Sequence, residues 1–427
     1  MNQSITPSHS SQQQNPQTTA YSASIPNVNT TPVFSTEIFQ HILATMLAVD
    51  SKVSDLIFSP GRPPQVELTG DLQGVPIPGL ERLTPPHIKA IAELMLLGNA
   101  QGNETLEKKG STDISYSANG IGRFRVNIFR QRGTYAIVMR VIPTTPPNPE
   151  DLNLPKAIRN ISNLKNGLVL VTGPTGSGKS TTLAAVIDLI NTTKKYHVVT
   201  IEDPIEFIHD HKLSTIHQRE LHSDTPDFAL ALRAALRQAP KVILVGEMRD
   251  RETIEVAMEA SETGHLVLST LHTVDAAKTI DRIIGVFPKT EEPVIRTRLS
   301  QSFRRIISQR LIPKIGGGRA AAMEILISNS RTREYIEKGE REGRSLTDAM
   351  KDGAIDGMQT FDLELEKMIR AGVITRENGL VYSSNANNLA LAISDMDGAP
   401  GAKVPEAALE PGPAKKEIPV GIEGFEP

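Results

Sequence analysis

The chain has 427 residues, 39% of them hydrophobic, and its 46 basic and 49 acidic side chains leave a formal charge of −3. That length is enough for about two domains, and the charge balance argues against a dominant attraction to nucleic acid or an anionic bilayer. Cysteine and tryptophan are absent, which excludes disulfides, thiolate-bound zinc, iron–sulfur clusters and tryptophan stacking on DNA.

Residues 1–33 carry no Lys, Arg, Asp or Glu and are rich in Ser, Thr, Gln, Asn and Pro. Such a segment cannot bury enough apolar surface to offset its ordering entropy, so a disordered arm is expected. Ile38, Ile42, Leu43, Met46 and Leu47 then recur at helical spacing. Arg123–Phe129 and Tyr135–Ile142 alternate as strands, so 34–142 reads as a small α/β domain. Pro143-Thr-Thr-Pro-Pro-Asn-Pro149 gives an extended linker over 143–153. Strands near 168–171, 198–202, 242–245 and 266–270 alternate with helices, predicting a mainly parallel sheet in a domain over 154–328. Residues 329–395 read as helical, and 396–427 as a loose Pro- and Gly-rich tail. No apolar run approaches the ~18 residues that span a bilayer, and the N-terminus lacks a signal-peptide pattern; a soluble, intracellular protein is expected.

The central motif is Gly173-Pro174-Thr175-Gly176-Ser177-Gly178-Lys179-Ser180, which fits the phosphate-binding P-loop. A short apolar strand leads in, and Leu183, Val186, Ile187 and Ile190 lead out on a helix. Backbone N–H groups of such a loop surround a polyphosphate at the positive end of the helix; Lys179 reaches the β and γ phosphates and the Ser180 hydroxyl holds Mg²⁺. Val242-Ile-Leu-Val-Gly246 ends in Glu247, a carboxylate placed to orient or deprotonate an attacking water. Glu202, Asp203 and Glu206 cluster beyond a second strand that Pro204 terminates. Three carboxylates beside a triphosphate make chemical sense with Mg²⁺ between them, although solvated surface acidity gives the same letters. His265 and His272 bracket a fourth strand, where they serve the packing, the γ phosphate or a neighbouring subunit. His209, His211, His217 and His222 show no metal-ligand spacing.

Taken in order, GPTGSGKSTT (173–182, with Thr181), TIEDPIEF (200–207), ILVGEMRD (243–250) and TGHLVLSTLHT (263–273) resemble the type IV pilus twitching-motility ATPases, the PilT or retraction group of the secretion-ATPase superfamily. Ser54-Asp-Leu-Ile57, Gly61-Arg-Pro-Pro64 and Gly122–Gly133 extend the resemblance over residues 36–383. It implies an α/β architecture: a RecA-like P-loop ATPase domain, a smaller PAS-like α/β N-terminal domain and a helical C-terminal region. It further implies a cytoplasmic homohexamer, peripheral at the inner-membrane pilus base, whose Mg-dependent ATP hydrolysis acts on a platform protein and so indirectly on the pilin fibre. Nucleic acid is not an expected partner. Carried onto this sequence, Lys179, Glu247, Glu202 and Glu206 are catalytic, with Glu202 assisting Mg²⁺ through water. His265 and His272 form the histidine box, and Arg123, Arg125, Arg130 and Arg132 are the pool of arginine fingers, groups worth ~10³–10⁵ in rate.

Two departures stand out. Ala239-Pro240-Lys241 replaces a common Asp-Pro-Asp, which changes charge but spares Glu247. Ser328-Asn-Ser-Arg331-Thr-Arg333-Glu-Tyr335 stands where retraction ATPases carry Ala-Ile-Arg-Asn, a motif tied to retraction. The alternative to the motor is therefore an accessory paralogue or a nucleotide-gated, partner-activated subunit. The cysteine-bearing zinc module of extension and type II secretion motors is absent, and the low pI disfavours a nucleic-acid translocase.

Overall fold

The computed structural model describes residues 34–398. The arm expected over 1–33 lies outside the described residues, as does the tail beyond a 3₁₀ turn at Ser394–Gly398. Helix Thr36–Leu47 opens the described chain, capped by the Ser35 hydroxyl, which accepts from the Ile38 N–H at 3.3 Å. It buries Phe39, Ile42, Leu43 and Met46 against a six-stranded sheet. The strands are β1 (Val53–Phe58), β2 (Gln65–Leu68), β3 (Asp71–Gly74), β4 (Ser111–Ala118), β5 (Gly122–Gln131) and β6 (Thr134–Ile142). Their order is β3-β2-β1-β6-β5-β4 with every pairing antiparallel. In β5, Phe124, Val126 and Ile128 face the core, so Arg123 and Arg125 share the opposite face.

The second sheet contains β7 (Gly167–Thr172), β8 (His197–Glu202), β9 (Thr215–Glu220), β10 (Val242–Val245), β11 (Leu266–Leu271), β12 (Phe303–Pro313) and β13 (Arg319–Ile327). Its order is β13-β12-β7-β11-β10-β8-β9, parallel throughout except for the β12–β13 hairpin. Every residue of β7, β10 and β11 is buried, as in strands covered by helices on both faces. One apolar cluster packs each face of the sheet. The four strands expected from sequence are all present and parallel; β9 and the β12–β13 hairpin are additions that sequence reading did not find. Five helices between Ser330 and Ala392 make up the C-terminal region.

Candidate active site

The carboxyl ends of β7, β11, β10 and β8 form one rim, the edge at which parallel α/β sheets place ligands. The P-loop leaves β7 there and feeds helix Lys179–Thr193. Gly173 and Gly178 have φ of 145° and 87°, and both press against a residue of β12. A Cβ on Gly173 would stand 2.4 Å from the Gln309 carbonyl oxygen, and one on Gly178 2.8 Å from its Nε2. Only glycine fits at either position. The buried Gln309 amide donates from Nε2 to the Ser177 carbonyl (2.6 Å) and accepts at Oε1 from the Thr182 hydroxyl (2.8 Å). It thus ties the loop to the first turn of the helix, a role sequence reading missed. Replacing it by Ala leaves a buried carbonyl and hydroxyl unpaired, at about 1–3 kcal/mol each. Gln309→Ala should weaken ADP binding about tenfold or more, measured by titration calorimetry, with the fold retained by circular dichroism.

Lys179 is buried and donates to the carbonyls of Gly173 (2.9 Å) and Pro174 (3.0 Å). Burial lowers its pKa, while the negative charges of Glu206 and Glu247 oppose that shift. The Ser177 hydroxyl is buried with no partner, a donor left for an incoming anion. Ser180 and Thr181 sit half-buried in the first helical turn, while Pro174, Thr175 and Gly176 are exposed on the rim. Pro174 to Ser177 border a cavity of about 490 Å³ that Arg310, Leu311 and Tyr382 also line.

Glu247 is buried, pairs with the Arg249 guanidinium, and lies 3.3 Å from His272 Nε2. Glu202 accepts from the Thr200 hydroxyl (2.7 Å), Gln218 Nε2 (3.2 Å) and the Glu206 N–H (3.4 Å). Burial pushes its pKa up despite those bonds. Asp203 and Glu206 are exposed beside it. Behind the rim, Glu324 of β13 accepts from the Ala276 N–H (2.8 Å) at the start of helix Ala276–Ile284. Burial raises its pKa to about 7. A carboxyl so raised holds its proton more tightly in the fold than in the unfolded chain, so its contribution is complete below pH ~4.5 and is lost as pH rises to about 7. Glu324→Gln should therefore raise the melting temperature at pH 8 relative to wild type and change it little at pH 4.5.

Not every expected residue converges. His265 stands at the opposite end of β11 from His272, about 20 Å away at the rise of a strand, and its Nδ1 lies 3.0 Å from the Ala260 carbonyl. It therefore does not belong to the P-loop rim of its own chain. Arg130 pairs with Glu107 at 2.7 Å, Arg132 occupies the β5–β6 turn at φ 48°, and Arg125 is exposed on the N-terminal sheet. Of the four arginines, Arg123 is the one tied to the second sheet, through Glu220 at 3.0 Å. Glu220 ends β9, four strands from β7, or roughly 19 Å at the usual strand spacing. Arg123 thus does not meet this chain's own P-loop, because the loop and the contact it makes sit at different strands of the rim. Of the four histidines read together in the sequence, His211 and His217 pack edge to face, with His197 bonded to His217 at 2.8 Å; among the described residues no group of His, Cys, Asp or Glu has the geometry to hold a metal.

Residues 115–372 match the family model described as "Type II/IV secretion system protein". The chain is 46% identical over 338 residues to the type IV pilus retraction ATPase PilT of Pseudomonas aeruginosa, covering 79% of this chain and 96% of that protein. It is 39% identical over 357 residues to the type IV pilus ATPase PilU of the same organism, covering 83% and 91%. A crystal structure of the pilus retraction motor PilT with bound ADP superposes with a TM-score of 0.72 at 42% identity, covering 82% of this chain and 98% of that one. By that family match, by 46% identity across nearly the whole of PilT and by the superposition on its structure, this chain belongs to the Type II/IV secretion ATPases, and within them to the pilus retraction group.

Proposed function

We propose that this chain is a Mg-dependent ATPase acting as a homohexameric motor that retracts type IV pili through an inner-membrane platform protein, in the cytoplasm at the pilus base. The observation that carries the reading is one rim where a P-loop holding Lys179 and an unpartnered Ser177 hydroxyl ends β7, and His272 and Glu247 meet at 3.3 Å at the ends of the next two strands. The backbone N–H groups of Gly178 to Thr181, at the start of the helix, would take the phosphates, and the adenosine would enter the cavity beside Arg310, Leu311 and Tyr382. The orphaned Ser177 hydroxyl and the carboxylates whose charges act on Lys179 suit a metal-bound polyphosphate. Mg²⁺ held by Ser180 and, through water, by Glu202 would supply positive charge between phosphate oxygens. Glu247, oriented by His272, is suited to accept the proton of the attacking water. A finger role for Arg123 requires a neighbouring copy or travel of the N-terminal domain, given its distance from the P-loop of its own chain. Among the described residues no helix is long and apolar enough to cross a membrane, which suits attachment to a membrane machine through a partner.

Phosphate release by the purified protein with Mg-ATP, together with restored twitching in a retraction-deficient cell, tests the reading. Release without restored twitching would favour the second reading, an accessory paralogue. That reading draws on the 39% identity to PilU and on the Ser328–Tyr335 segment.

A further inference from the structure

Among the described residues, one carboxylate carries side-chain hydrogen bonds between the two sheets. Glu220, 5% exposed at the end of β9, accepts from the Ser115 hydroxyl of β4 and from Arg123 Nη2 of β5 at 3.0 Å. Its Oε2 also accepts from the Ile205 N–H at 3.2 Å. Ser115 and Arg123 belong to the N-terminal sheet, whereas Ile205 lies in the acidic loop between Glu202 and Glu206. Glu202 and Glu220 are register partners at the ends of β8 and β9, so that loop is stretched over both. Arg123 completes little of its donor capacity here: Nη1 donates to the Ser117 hydroxyl at 3.1 Å, and Nε is buried without a partner.

We infer that Glu220 is a positioning residue that couples the acidic loop of the ATP site to the docking of the N-terminal domain. This rests on the ATPase reading of the rim. A buried carboxylate must keep its cationic and N–H partners together, because losing one leaves the others in low dielectric without compensation. The Ile205 N–H and the Ser115–Arg123 pair therefore share one anchor. A displacement of the 203–206 loop by a bound metal–nucleotide removes one of the bonds that hold the N-terminal sheet in place. Arg123, its buried Nε unmatched, then has a second acceptor available in a phosphoryl oxygen of a nucleotide held by a neighbouring copy. Two alternative partners for one guanidinium form a two-state element, and a ligand that offers one of them shifts the balance.

The absence of natural cysteine permits clean spin labelling of the full chain at Lys109→Cys and Arg237→Cys, both exposed and one on each side of the contact. Labelled chain is diluted into unlabelled chain so that any ring carries one labelled copy. The wild-type background should give one narrow distance that shifts on adding a non-hydrolysable ATP analogue. Glu220→Ala should broaden the nucleotide-free distance and abolish the shift. It should also lower kcat at least fivefold while KM for ATP stays within twofold. Glu220→Gln, whose one amide oxygen can stay on the Ile205 N–H while its NH2 donates to the Ser115 hydroxyl but which loses the negative charge that Arg123 meets, should broaden the distance less, and Glu220→Asp should restore part of the shift. A wild-type distance and an unchanged shift in Glu220→Ala would overturn the inference. Should that variant fail to fold, Glu220→Gln and Ser115→Ala decide by the same measurement. If the wild type releases no phosphate, the ATPase reading fails separately, while the nucleotide-free distance still reports on the Glu220 contact.

Discussion

Glu247→Gln is expected to lower single-turnover phosphate release by ~10²–10⁴ while leaving ADP affinity within a few-fold of wild type. The position of the carboxylate is fixed by its strand neighbours rather than by its own side chain. The Gly246 N–H donates to the Ile201 carbonyl at 2.7 Å, the Thr270 hydroxyl to the Gly246 carbonyl at 2.6 Å, and the Met248 N–H to the Thr270 carbonyl at 3.2 Å. Glutamine therefore occupies the same place without disturbing β10, and it still accepts from Arg249. It cannot take a proton from water. Binding survives because the loop amides and Lys179 are untouched. Unchanged turnover would transfer the base role to Glu206, the other carboxylate whose charge acts on Lys179. A parallel loss of affinity would make Glu247 a structural part of the rim.

The residues that chemistry makes local were legible in the sequence. The P-loop announces itself in eight consecutive letters, and Glu247 follows a four-residue apolar run that has no other home than a buried parallel strand. The meeting of His272 with Glu247 follows from the order of β11 and β10 in the sheet, which the letters do not give. What stayed hidden depends on pairing across sequence distance. Gln309 meets the P-loop 132 residues away; it is one of three consecutive polar side chains, Ser308, Gln309 and Arg310, in Ile306-Ile-Ser-Gln-Arg-Leu-Ile312, a run that does not alternate cleanly because β12 is buried on both sides along part of its length. Strand β9, Thr-Ile-His-Gln-Arg-Glu, is an edge strand with few apolar residues, so nothing in its letters marks His217 or Glu220 as strand positions. His265 shows the converse: a motif that brackets a strand places its two ends at opposite ends of that strand, so only His272 reaches the P-loop rim of its own chain. The four arginines share a stretch of sequence, yet the β5–β6 turn sends Arg130 and Arg132 away from the contact that Arg123 makes.

Lys179→Ala should abolish measurable turnover and weaken nucleotide binding by ~10²–10⁴, the loss of two or so charge-assisted hydrogen bonds to phosphate. Its effect on the nucleotide-free protein should be far smaller. In that state the ammonium is bonded to the Gly173 and Pro174 carbonyls, about 1 kcal/mol apiece for ordinary bonds, but its burial is unfavourable, as the lowered pKa records. The two contributions oppose one another, so the melting temperature without nucleotide should move by only about 2–4 °C. The sign of the pH dependence separates them. A lysine whose folded pKa lies below its unfolded value binds fewer protons in the fold as pH rises through the lowered value, so wild-type stability gains with pH up to the ordinary lysine range. The alanine variant should lose that gain. A bound polyphosphate restores the charge on Lys179, so ADP binding at alkaline pH should take up protons in the wild type and not in the variant, read as a buffer-dependent heat. A variant destabilised without nucleotide as severely as it loses affinity would make Lys179 chiefly a cap on its own loop, and the triphosphate-binding role would have to pass to the loop amides alone.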